Sequence, residues 1–397
     1  MNKLILTIAL SLLSFCVYAQ DFKSDKVRYQ TISWTDFFKR LENNPKLIYF
    51  DIRTDGERGD NGKSLQYNQG KVKGAIETDF GDFKKYYPEY LKYKNDTIYL
   101  YCSHSKRSRV LAKQLADSAF AHVVNINGGL SYFNTLSERE MPYRSKYYTN
   151  NLKYKLVSPT DFTKALHNEK RQIIDIRPDS LYLGIAKEER KNSFGNIKSA
   201  LHIPYDKLKN NLTLLDKNKR IYLFDNEGDQ SPIAANYLIE QGYDTSVLLF
   251  GLSNIIGSTA NNERDFLETK YQFILPEELL QIVNENSHTV IIDIRSEAEF
   301  TGTDQAEWKN IGIIKNAINI PLATLSMEKI ASYKGKTIVI YDMMMLDGGL
   351  FEYAMRLKEY GVKDLYLLSG GVSKVKAGIY DYQNVDLKSL LNQSNQN

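Results

Sequence analysis

This chain repeats itself, and no other feature constrains its fold as strongly. The strings Phe50-Asp51-Ile52-Arg53, Ile174-Asp175-Ile176-Arg177 and Ile292-Asp293-Ile294-Arg295 place their aspartates 124 and 118 residues apart. A second shared string follows each of them: Gly70-Lys-Val-Lys-Gly-Ala-Ile76, Gly195-Asn-Ile-Lys-Ser-Ala-Leu201 and Gly312-Ile-Ile-Lys-Asn-Ala-Ile318. A β-rich run then ends at Cys102, Asp225 or Asp342, which lie 51, 50 and 49 residues after the respective aspartates. Glycine turns close the copies at Gly128-Gly129, Gly251 and Gly370-Gly371. A period this long means three copies of one folding unit, and 397 residues allow each copy a core of its own.

Local signals give the unit its class. Ser33-Trp-Thr-Asp-Phe-Phe, Ser158-Pro-Thr-Asp-Phe and Pro276-Glu-Glu-Leu-Leu each read as a helix start, with a capping residue or an N1 proline ahead of first-turn acids. Short apolar runs such as Leu47–Phe50, Ile98–Tyr101 and Val123–Ile126 fit strands buried on both faces. Helical periodicity separates them, as at Leu111, Leu115 and Ala119. Strands alternating with helices predict an α/β fold: three tandem units, each a mainly parallel central sheet flanked by helices. The expected boundaries are 20–149, 150–270 and 271–390, with a polar tail at 391–397.

Composition narrows the function classes. A net charge of +4, without a dense basic stripe, argues against nucleic acid as a partner. Two cysteines and five scattered histidines supply neither a disulfide framework nor metal-ligand spacing, so no metal and no cofactor are expected. Met1-Asn2-Lys3 followed by a 12-residue apolar run, Leu4 to Phe15, predicts a signal peptide at 1–19 cut before Gln20. The run is too short to span a bilayer, which needs about 20 residues. Phe15 before Cys16 argues against lipidation. The expectation is therefore an exported protein, periplasmic or secreted, with no integral membrane segment after cleavage. Cleavage also removes Cys16, leaving Cys102 as the one thiol of the mature chain. In an oxidising compartment such a cysteine is either inert and buried or a working thiol.

The loop after the run Ile98–Tyr101 is Cys102-Ser103-His104-Ser105-Lys106-Arg107-Ser108, and a helix follows from Arg109. Strand, loop and helix in that order place Cys102 at the carboxyl end of a central strand, where open α/β sheets carry ligands. Backbone N–H groups of a tight loop and the helix dipole converge on an anion there. With Lys106, Arg107 and His104 nearby, they favour a nucleophilic, reachable thiolate in an anion cradle.

The Asp-x-Arg strand, the Gly-x-Ile-x-Gly-Ala-like string, the cysteine loop and the Gly-Gly turn together resemble the rhodanese family of sulfurtransferases, in three tandem copies. Single-domain rhodaneses carry Cys-x-x-Gly-x-Arg-Ser/Ala; here Cys102, Arg107 and Ser108 are in register, Ser105 stands at the glycine position, and Lys71 replaces the usual histidine of Gly-His-Ile. The resemblance implies that Cys102 is the nucleophile and takes the outer sulfur of a thiosulfate-like anion as a persulfide. A thiol or cyanide-like acceptor then removes it. It implies donor and persulfide binding by Ser103, His104, Ser105, Lys106, Arg107 and Ser108, with Asp51 and Arg53 in support. The phosphatases of this fold need five residues between cysteine and arginine; the four here make a smaller ring that suits sulfur. The alternative reading is a non-catalytic binding or redox-sensing module.

The other two loops lack this chemistry. In Asp225-Asn-Glu-Gly-Asp-Gln230-Ser231, aspartate replaces the nucleophile, glutamine replaces the arginine, and three acids give a loop charge of −3. The third loop, Asp342-Met-Met-Met-Leu-Asp347-Gly348, has neither thiol nor cation. Asp225 or Asp342 is expected to accept the loop N–H bonds itself, filling the cradle, with docking of a protein partner on units two and three as an additional role.

Overall fold

The computed structural model describes residues 28–59, 67–168, 170–286, 288–305, 309–345, 348–380 and 384–392. The expected leader, Cys16, Asp347 and the tail from residue 393 lie outside them. The described residues form two compact units, one drawn from Met1–Arg53 and Gly74–Gly129, the other from Thr54–Lys73 and Leu130–Asn397.

The first unit carries one five-stranded sheet. Its strands are β1 (Gln30–Ile32), β2 (Ile48–Asp51), β3 (Ile76–Glu77), β4 (Thr97–Tyr101) and β5 (His122–Ile126), in the order β1-β5-β4-β2-β3. All pairings are parallel: Ile48 faces Ile98, Leu100 faces Asn125 and Ile32 faces Ile126. Because β4 is central and covered on both faces, four of its five residues are buried, as the continuous apolar run requires. Helix α1 (Trp34–Asn43) starts where the Ser33 hydroxyl accepts the Asp36 amide at 3.0 Å. Trp34, Phe37, Phe38 and Leu41 form its buried face, and the Trp34 indole N–H donates to the Gly129 carbonyl at 2.8 Å. That bond ties the first helix to the glycine turn beside the cysteine loop. Helix α2 (Lys106–Asp117) packs Leu111, Ala112 and Leu115 into a core shared with Phe50, Ile98 and Leu100.

The second unit holds two further sheets of the same design. Strands β6 (Lys155–Val157), β7 (Arg171–Asp175), β8 (Leu201–His202), β9 (Arg220–Phe224) and β10 (Thr245–Leu248) run β6-β10-β9-β7-β8. Strands β11 (Gln272–Ile274), β12 (Val290–Asp293), β13 (Ile318–Asn319), β14 (Ile338–Tyr341) and β15 (Leu365–Leu368) run β11-β15-β14-β12-β13. Helix α3 (Ser231–Glu240) follows β9, and helix α4 (Gly349–Glu359) follows β14. One apolar cluster joins the two sheets, with Leu252, Ile256, Phe273 and Phe351 among its members, and the Ser369 hydroxyl donates across it to the Ile256 carbonyl at 3.0 Å.

The second shared string has a packing explanation. Lys71–Val72 pairs antiparallel with Tyr148–Thr149, Asn196–Ile197 pairs with Leu267–Glu268, and Ile314 bridges to Leu391. In each copy this string therefore clasps the chain that ends the copy. In the first two copies the close approach requires the glycine: a Cβ on Gly70 would sit 2.3 Å from the Tyr148 hydroxyl, and one on Gly195 1.8 Å from the Glu268 carbonyl oxygen. The clasp also carries the third copy past the expected boundary at 390, since the Asn392 amide donates to the Ile313 carbonyl at 3.2 Å. No helix among the described residues is long and apolar enough to cross a membrane.

Candidate active site

Each sheet ends in the same buried ion pair. Arg53 donates from Nε to Asp51 Oδ1 at 2.9 Å and from Nη2 to Oδ2 at 2.6 Å, and both side chains are fully buried. Asp175–Arg177 and Asp293–Arg295 repeat this fork. The aspartate closes β2 and also accepts the Tyr101 hydroxyl of β4 at 2.9 Å. The Ile52 amide donates to the Tyr101 carbonyl at 3.1 Å, a bond repeated from Ile176 to Phe224 and from Ile294 to Tyr341. The pair thus fixes the strand end from which the next residue, Cys102, Asp225 or Asp342, leaves the sheet.

The loop backbone is shared as well. Its fourth residue is left-handed in all three copies: Ser105 at φ 65°, Gly228 at 83° and Met345 at 59°. Serine and methionine adopt this region at about 1–2 kcal/mol, so the turn is imposed by the fold even where glycine is missing. Ser105 is buried, and its hydroxyl donates to the Ile126 carbonyl at 3.2 Å. Opposite the loop, a Cβ on Gly129, Gly251 or Gly371 would lie 2.1–2.4 Å from loop backbone. Glycine at these three positions is therefore fixed by that close approach.

Cys102 is the floor of the first loop. It is 1% exposed and packs within the cluster of Phe50, Leu100 and Leu111. The sequence reading expects a reachable thiol; in the structure Cys102 is buried, in the same core as Leu111 and Ala112 of α2. Ser108 lies behind the sulfur with its hydroxyl 3.6 Å from Cys102 Sγ. Arg107 is half-buried and donates to the Ser103 hydroxyl at 2.8 Å, while His104 and Lys106 are exposed.

The second loop shows what such a backbone offers an anion. Asp225, 6% exposed, accepts at Oδ1 from the amides of Glu227 (2.9 Å) and Gly228. At Oδ2 it accepts from the amides of Gln230 (2.7 Å) and Ser231 (2.8 Å) and from the Ser231 hydroxyl (3.2 Å). Four amides and a hydroxyl converge on one carboxylate. Burial, then the neighbouring Asp225 and Glu227 carboxylates, push the Asp229 carboxyl above the ordinary range. Glu227 itself is paired with Arg190. In the third loop Asp342 accepts the Met345 amide at 2.7 Å.

Residues 35–135, 158–256 and 275–378 each match the family Rhodanese-like domain. The chain belongs to that family. Among solved structures, a rhodanese-like domain protein from Staphylococcus aureus is 24% identical over 25% of this chain and 90% of its own, with a TM-score of 0.22. A thiosulfate sulfurtransferase from Pseudomonas aeruginosa is 14% identical over 88% and 66%, with a TM-score of 0.22. An anaerobic ergothioneine biosynthesis enzyme from Chlorobium limicola is 14% identical over 87% and 96%, with a TM-score of 0.27. No curated protein matches the chain significantly.

One residue of the rhodanese-like site escapes the sequence reading. Asn125 is fully buried on β5, and its Oδ1 accepts the Ser108 hydroxyl at 2.6 Å. The signal was available in the repeats, because Val247 and Leu367 hold the same register in the other two sheets.

Proposed function

We propose that the first rhodanese-like copy is a sulfurtransferase acting through Cys102, and that the second and third copies are scaffold with a docking role. The observation that carries the reading is the shared loop: Cys102 stands where Asp225 gathers four amides, on a backbone with the same left-handed fourth residue. The carboxylate serves as the built-in equivalent of the sulfur anion that Cys102 would present to its own loop.

In the proposed reaction the Cys102 thiolate attacks the outer sulfur of thiosulfate. The bond from that sulfur to the sulfonate breaks, sulfite leaves with the bonding pair, and Cys102 holds a persulfide anion. A thiol or cyanide-like nucleophile then takes the terminal sulfur and returns the thiolate. Arg107 exchanges the Ser103 hydroxyl for the donor's sulfonate, with Lys106 and His104 at the rim. Loop amides from Ser103 to Arg107 stabilise both sulfur anions. The reaction belongs to an exported protein, periplasmic or secreted, whose mature chain begins at Gln20. N-terminal sequencing of the secreted form tests that part.

Intact mass after incubation with thiosulfate tests the chemistry. The wild type gains one sulfur and Cys102→Ala gains none. A second reading, a non-catalytic binding module, is favoured by the 1% exposure of Cys102. A folded protein that keeps a bare thiol in thiosulfate selects it.

A further inference from the structure

A buried amide in a parallel sheet is expensive unless its groups are paired. Asn125 faces Thr31 in register with the Leu156–Val247 and Phe273–Leu367 pairs, so the two thiol-free sheets carry aliphatic side chains at its position. The amide is present in the sheet that ends at the thiol. Its Oδ1 takes the Ser108 hydroxyl at 2.6 Å, and its Nδ2 is buried without a hydrogen-bond partner.

Ser108 has one proton and three acceptors in reach: Asn125 Oδ1, the Ser105 carbonyl at 3.2 Å and Cys102 Sγ at 3.6 Å. The orientation of the Asn125 amide decides among them. With Oδ1 toward Ser108, the proton goes to Asn125 and the sulfur receives nothing from this side. A half-turn of the amide sets Nδ2 against the Ser108 oxygen, which gives the orphaned N–H its acceptor and sends the hydroxyl proton onward. Serine at this place serves an anion in the second loop, where the Ser231 hydroxyl donates to Asp225 at 3.2 Å.

We infer that Asn125 is a positioning residue whose amide, by turning over, drives the Ser108 hydroxyl proton onto the Cys102 sulfur when that sulfur is anionic. The inference deepens the sulfur-transfer reading and rests on it for its purpose, though its test does not. A thiolate or persulfide gains a charge-assisted hydrogen bond, and the neutral thiol leaves the relay in its other state.

The test is peptide-resolved alkylation of Cys102 by iodoacetamide across pH 5–10, in the full chain. Asn125→Val, which copies the second sheet, is expected to move the profile to higher pH and slow alkylation about tenfold at neutral pH, the weight of one hydrogen bond to a charged group. Ser108→Ala shows the same shift, and the double variant adds nothing to either. Asn125→Asp, which accepts from Ser108 and cannot donate when ionised, slows the reaction at least as much and serves if the valine variant misfolds. A folded Asn125→Val or Asn125→Asp whose profile overlays the wild type overturns the relay, as does full additivity in the double variant. Thiosulfate uptake is read separately. Its absence in the wild type removes the sulfurtransferase reading while the alkylation profiles still judge Asn125.

Discussion

Replacing Asp225 by alanine removes the shared acceptor of five donors in one step. Hydrogen bonds to a charged group are worth about 1.5–3 kcal/mol each when lost singly. Five on one carboxylate share a single desolvation cost, and water refills the space an alanine leaves, so the set is taken together as about 3 kcal/mol. At 1.4 kcal/mol per factor of ten, local opening of the loop becomes more frequent by about a hundredfold. Hydrogen exchange reads this directly: the amides of Glu227, Gly228, Gln230 and Ser231 should exchange about a hundredfold faster, with much smaller changes along β9. Formate, which fits the vacated position and carries the same charge, should restore protection in a saturable manner. Asp225→Asn should not rescue, because its NH2 would face the donating amides of Gln230 and Ser231. Wild-type exchange rates at those four amides in a folded Asp225→Ala protein would refute the filled-cradle argument.

Three further outcomes follow from the geometry. Ser105→Gly relieves a left-handed serine but loses the hydroxyl bond to Ile126, so its urea midpoint should change by less than the equivalent of about 1 kcal/mol. A large loss would mean that the hydroxyl, and not the backbone, sets the turn. Arg53→Met leaves the buried Asp51 carboxylate without its fork and should cost about 3–5 kcal/mol by denaturant titration, with the Asp51→Asn/Arg53→Met pair costing less. In the third copy the Lys374 side chain is half-buried with its ammonium enclosed, and that enclosure, with Arg264 adding to it and Glu277 opposing, pushes its pKa down to about 8. Between pH 8 and 10 the folded state has released a proton that the unfolded chain keeps, so the stability of this copy should rise with pH across that window. Lys374→Met should flatten the rise in urea midpoints measured at pH 7.5, 8.5 and 9.5.

The cysteine loop and its neighbours were legible in the residues to different degrees. The position of Cys102 after a central strand could be read because a fully buried parallel strand is a continuous apolar run, and Ile98–Tyr101 is one. Ser105 reads as a departure from glycine, yet Met345 adopts the same left-handed turn in the third copy, so tertiary packing overrides the local preference. The reachability of the sulfur was not legible: Cys102 is buried in a core it shares with Phe50, a residue far from it along the chain. Asn125 was missed for a related reason, since 17 residues separate it from Ser108 and only the sheet register brings them together.

The repeat, the alternation of strand and helix, the copy that owns a thiol and the acidity of the second loop are properties of neighbours along the chain, and the sequence alone determined them. The three-dimensional fold decided how deep the thiol lies, which carboxylate fills a cradle, and how the clasp carries the third copy past its expected end. Burial and hydrogen-bond partnership depend on groups distant in sequence, and a linear pattern records what a segment prefers without recording what is packed against it.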